Sequence, residues 1–157
     1  MRSKKFPVNI LLFGILGLTF FAPALLSAQT AAELERILET PYISSSQAAR
    51  FVLASASGTA DISADAALQS AIAKGWLPRK TAANDPISMG TLSYLTMKAF
   101  DLRGGLMYSI VPGPRYAFRS MVNRSFIEGA ADPAMKVSGE KFLLILGNVL
   151  DAAGGEE

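Results

Sequence analysis

The sequence predicts an all-α fold built from helix-loop-helix units, with room for one short strand or hairpin near residues 106–111. Three observations lead there. Apolar residues recur at helical spacing along almost the whole chain. Serines stand where helices should start and glycines where they should stop. The chain also matches itself at an offset of 50 residues.

The elements follow in order. Residues 31–39 predict a short amphipathic helix with Leu34, Ile37 and Leu38 on one side, ended by Pro41. Ser44-Ser45-Ser46-Gln47 fits a capping box, in which the hydroxyl accepts an orphan backbone N–H and the Gln reaches back. Ala48, Phe51, Val52 and Ser55 form the inner stripe of the helix it opens, and Gly58 stops it. Asp61 or Ser63 caps a third helix to about Lys74, with Ala67, Leu68, Ala71 and Ile72 inward and Gly75 as the residue after the C-cap. Trp76-Leu77-Pro78 reads as an apolar plug packed in the core. Ser88 opens a helix carrying Met89, Leu92, Leu95 and Ala99. Leu106 to Val111, bounded by Gly104, Gly105 and Pro112, reads as a strand or an ordered apolar loop. Pro114 suits the first position of a helix carrying Phe118, Met121 and Val122. Ser138 opens the last helix, unbroken in apolar residues from Phe142 to Leu146 and so expected to be central, and residues 152–157 read as a disordered tail.

Residues 1–28 have the three parts of a secretory signal peptide: Arg2, Lys4 and Lys5, an apolar run from Ile10 to Phe21, and a small-residue exit with Ala28 at the cut. The alternative is an uncleaved anchor, for which the run falls short of the ~20 residues that cross a bilayer. Taking the three leader cations from 15 leaves 12 basic residues against 13 acidic ones. That balance removes nucleic acid as an expected partner, since binding it takes a concentrated excess of Lys and Arg. The expected location is the periplasm or cell surface, with membrane contact only through a retained leader. Residues 29–151 then form one helical domain.

In the self-match, residues 67–101 lie on 117–151 without a gap. Ala67 meets Ala117, Ser70 meets Ser120, Trp76 meets Phe126, Leu77 meets Ile127, Ile87 meets Val137 and Ser88 meets Ser138. A partial copy spans residues 42–57, entered at Ile43-Ser44. At these residues the chain resembles S-layer homology modules. Ala71-Ile72-Ala73-Lys74-Gly75-Trp76-Leu77-Pro78 looks like the family's helix and plug. Ile43-Ser44-Ser45-Ser46-Gln47, Pro86-Ile87-Ser88 and Val137-Ser138-Gly139-Glu140 look like its step into the second helix. The resemblance implies an envelope module that binds wall polymer. It also implies an Arg directly after each cap hydroxyl, where Ser45, Met89 and Gly139 stand instead.

Little catalytic chemistry remains open. The chain has no His and no Cys, which removes Ser-His-Asp triads, thiol catalysis and the usual zinc sites. No cofactor motif is present. Glu128, Asp132 and Glu140 leave one enzymatic alternative, a small periplasmic hydrolase acting on wall glycan through paired carboxylates. The preferred reading is a non-catalytic module that binds wall glycan or another envelope protein. Its candidate surface comprises Arg115, Arg119 and Asn123, spaced i, i+4, i+8 on one helix face, and the apolar segment of Leu106, Tyr108 and Val111.

Overall fold

The computed structural model of the chain describes residues 31–58, 62–129 and 132–154. The expected leader and its cut after Ala28 lie outside them. Two compact units divide between Arg36 and Ile37. The helix α1 (residues 31–38) straddles that boundary. In the first unit Leu34 is 37% exposed. The second unit holds Ile37, which is buried, and Leu38, which is 52% exposed. The expected inward stripe of α1 therefore reduces to Ile37.

The second unit is helical, and no strand occurs among the described residues. Its helices are α2 (Ser45–Ser57), α3 (Ala64–Ala73), α4 (Met89–Ala99), α5 (Leu106–Ile110), α6 (Pro114–Asn123) and α7 (Gly139–Gly154). Local chemistry sets the starts. Ser44 accepts from the Gln47 N–H, and the Gln47 side chain accepts from the Ser44 N–H, closing the capping box. Ser63, Ser88 and Ser138 accept from the N–H groups of Ala66, Thr91 and Lys141. Pro114 opens α6.

Residues 50 apart occupy like places. Lys74 and Arg124 donate to the carbonyls of Ser70 and Ser120 at 3.0 and 3.1 Å. Gly75 and Ser125 follow with φ of 72° and 60°. Trp76 and Phe126 then donate to Ala71 and Met121 at 2.8 and 2.9 Å. The Lys74 ammonium stands 4.4 Å from the Trp76 ring centre, and the Arg124 guanidinium 5.2 Å from that of Phe126. The residue buried after each aromatic is Leu77 or Ile127. Trp76 itself is half-buried, so the plug there is Leu77.

The three segments entering α2, α4 and α7 meet in a closed cycle of backbone hydrogen bonds. Ile43 donates to Val137 at 2.9 Å, Val137 to Ile87 at 3.2 Å, and Ile87 back to Ile43 at 3.1 Å. All three side chains are essentially inaccessible. Each is followed directly by the cap serine of its helix. A second cycle runs alongside: Ser45 donates to Asp85, Met89 to Met135, and Gly139 to Thr40, at 2.8, 2.8 and 2.9 Å. Buried backbone groups need partners, and here each segment satisfies the next in turn. Gly139 is forced by this geometry, because a Cβ there would overlap the Ile37 carbonyl oxygen.

Around the cycle, α2 packs on α3 and α4 packs on α6. Phe51 meets Phe142 edge-on, with ring centres 6.2 Å apart. The core contains Val52, Leu68, Met89, Leu92, Leu95, Met121, Phe142, Ile145 and Val149. Four expectations change. Residues 106–110 form a helix rather than a strand or loop. Its turn is held because Tyr108 docks edge-on against Tyr94, with ring centres 6.3 Å apart, and Gly105 donates to Ser120 Oγ at 3.2 Å. Val122 is 39% exposed rather than inward. α7, expected to be central, turns only one side inward, with Phe142, Ile145 and Leu146 buried and Leu144 53% exposed. It also continues to Gly154, so residues 152–154 are helical rather than part of a disordered tail.

Candidate functional site

α6 positions the polar stripe. Its buried side carries Ala117, Phe118, Ser120 and Met121, which turns Arg115, Arg119 and Asn123 outward, and all three are exposed. The stripe runs between two clefts. The larger, about 650 Å³, is lined by Pro114, Arg115, Phe118, Arg119, Asp132, Pro133 and Ala134, with Ser88 and Gly90 at its end. The smaller, about 330 Å³, is lined by Arg119, Ser120, Asn123 and Tyr116 together with Gly105, Leu106, Met107 and Tyr108 of the α5 segment. Arg119 borders both.

The floor of the larger cleft is stiff. The Gly90 N–H donates to the Pro133 carbonyl at 2.8 Å, and the two backbones approach so closely that a Cβ on Gly90 would lie 3.1 Å from that oxygen. Asp132 Oδ1 accepts from the Ala134 N–H at 2.7 Å, so this carboxylate is spent on its own turn. What remains is a mainly apolar cleft that two arginines also line. That combination suits a ligand with an apolar ring face and an anionic substituent.

The other sequence candidates divide. Leu106 and Val111 are 74% and 55% exposed, but Tyr108 is only 8% exposed and serves as the anchor of α5 rather than as surface. Its phenol is pushed up to about 12, by burial first and then by Tyr94 and Asp101. Met107 and Ile110, inside the same expected segment, are 56% and 65% exposed and complete the patch. Leu106 and Ile110 are i, i+4 neighbours, a signal visible only once the segment is read as helix.

Glu128, Asp132 and Glu140 are each exposed, and of the three only Asp132 lines the larger cleft. Glu140 sits in the first turn of α7, where a negative charge favours the helix dipole. No group of three or more acids able to hold a metal occurs among the described residues. The residues directly after the cap serines, where the resemblance to S-layer homology modules would call for Arg, are sealed: Ser45 and Met89 are 2% and 0% exposed, and Gly139 lies against the Ile37 carbonyl. Among the described residues no helix is long and apolar enough to cross a membrane. No protein-family model, curated protein or solved structure matches the chain.

Proposed function

We propose that this chain is an exported, non-catalytic module of the cell envelope that binds an anionic wall glycan in the cleft between α6 and the 132–134 turn. The observation that carries this reading is that two exposed arginines, Arg115 and Arg119, line one cleft together with the apolar Phe118 and Pro133. Sugar rings offer an apolar face to such a lining, and their carboxylate or phosphate substituents suit a planar donor fork. Binding goes through α6 rather than through the helix starts used by the S-layer homology family, because those positions here lie inside the hydrogen-bonded cycles. The duplicated helix, plug and cap supply the rigid frame, and the leader supplies the route out of the cytoplasm.

The test is co-sedimentation with purified sacculi. An exposed charge contact is worth up to about 1 kcal/mol, and 1.4 kcal/mol is about tenfold in affinity. The double variant Arg115→Ala/Arg119→Ala is expected to weaken retention about tenfold or more, and added salt to weaken that of the wild type. Retention by the double variant equal to wild type, or no retention of the wild type, defeats the proposal.

A further inference from the structure

We infer that α5 is a membrane-surface anchor: a single apolar turn, ringed by cations, that inserts into the headgroup region of an anionic phospholipid bilayer. This goes beyond glycan binding and uses a different part of the molecule. Four large apolar side chains, Leu106, Met107, Ile110 and Val111, lie within six residues and are each more than half exposed. No other six-residue stretch of the described residues in the compact unit Ile37–Glu157 holds four exposed large apolar side chains; single ones are ordinary for a folded surface, whereas a contiguous patch marks a contact.

The patch is held out rather than folded back. Tyr108 points the opposite way into the core against Tyr94, and Gly104 lies so close under the Tyr108 ring that a Cβ there would overlap it. Gly105 is tied to Ser120. The turn is thereby fixed with its apolar side outward, so little ordering remains to oppose insertion.

Charge decides among occupants. Residues 98–127 carry Lys98, Arg103, Arg115, Arg119 and Arg124 against Asp101 alone, while the rest of the chain after residue 28 has 7 basic and 12 acidic residues. The cations flank α5 on both sides. Arg119 shares a cleft with Leu106 and Met107, and Lys98 and Arg103, with Asp101 as the one acid beside them, share one with Ser109 and Pro112. A protruding apolar turn inside a positive collar matches the interface of an anionic bilayer, which accepts a convex apolar tip without a shaped receptor and attracts the collar electrostatically. A glycan offers no comparable apolar burial, and a protein partner would need a matching socket. The sequence had placed membrane contact in the leader alone; α5 supplies a second point.

The experiment uses the chain from Gln29 onward, which retains every residue of the described core and removes the leader as a competing lipid ligand. It is sedimented with vesicles of phosphatidylglycerol and phosphatidylethanolamine in equal parts, and with phosphatidylcholine vesicles. Expected is binding to the anionic vesicles that falls with salt and is at least about tenfold stronger than to neutral ones. Leu106→Ser/Ile110→Ser is expected to remove most of it, and Arg103→Glu to weaken it by about fivefold or more. The substituted side chains are exposed, so far-ultraviolet circular dichroism is expected to be unchanged. Retention of Leu106→Ser/Ile110→Ser on sacculi is expected to equal wild type, which separates this site from the glycan cleft. Failure to bind anionic vesicles, equal binding to neutral ones, or full binding by the Ser variant overturns the proposal. Patch-dependent capture of an envelope protein without vesicle binding overturns it too.

Discussion

Two glycines of α7 give opposite answers to the same substitution. Gly147→Ala places a methyl group in open space in the interior of the helix. Ala is a better helix former than Gly by about 0.8–1 kcal/mol, so this variant is expected to be more stable by about that much. At Gly139 the methyl group meets the Ile37 carbonyl oxygen, an atom of the backbone that cannot swing aside. Overpacking of this kind costs about 1–3 kcal/mol. Relief by separating the two segments breaks the hydrogen bond from Gly139 to Thr40 and leaves buried groups unpaired at about 1–3 kcal/mol. Because Gly139 is the first residue of α7, little helix propensity offsets this. The net loss is about 3 kcal/mol. Urea unfolding followed by circular dichroism reads both variants. In thermal melts, about 4 °C per kcal/mol for a domain of this size converts these into a rise of about 4 °C for Gly147→Ala and a fall of about 12 °C for Gly139→Ala. Gly139→Ala as stable as wild type would refute the close approach of Ile37 and, with it, the second hydrogen-bonded cycle.

Two further predictions follow from single backbone and side-chain features. Ser125 holds a left-handed φ of 60° where its counterpart 50 residues earlier is Gly75. That conformation costs a residue with a Cβ about 1–2 kcal/mol, so Ser125→Gly is expected to raise the unfolding free energy read from urea melts by about 0.5–1 kcal/mol once the greater freedom of Gly in the unfolded chain is subtracted. Tyr108, with its phenol raised to about 12, stays protonated in the folded state after the unfolded chain ionises near 10. The folded state then binds more protons, so stability is expected to fall as pH rises from about 10 to about 12. Phenolate absorbance of wild type against Tyr108→Phe checks this: the slope of stability over that window should flatten in the variant.

Much of the helical frame was legible because its signals are local. Ser44, Ser88 and Ser138 cap where the sequence placed caps, since a hydroxyl, three residues and a backbone N–H suffice to define the motif. Gly75 and Pro114 work in the same way. The misread positions are those decided by distant neighbours. Leu106 to Val111 has the composition of a strand, yet among the described residues no strand pairs with it; Tyr94 and Ser120, from α4 and α6, hold it as a helix. Trp76 reads as core by size, but the shorter Leu77 fills the interior and leaves the indole half-buried beneath Lys74. In the candidate site, the α6 stripe was visible as i, i+4, i+8 spacing. The cleft was not, because its floor depends on Gly90 meeting Pro133, 43 residues along the chain.

The cycle joining Ile43, Ile87 and Val137 has a consequence for the order of folding. Each local helix pair can form early from nearby residues, but the cycle closes only when residue 137 meets residue 43, a separation of 94 residues. Loops of that length form slowly. A chain truncated before the third segment leaves a donor on Ile43 and an acceptor on Ile87 stranded in a forming interior, with no water to replace them. There is thus no favourable halfway product at the centre of this molecule: two segments make an open pair, and only the third makes it whole. A nascent chain must expose residues 135–139 before its centre can set.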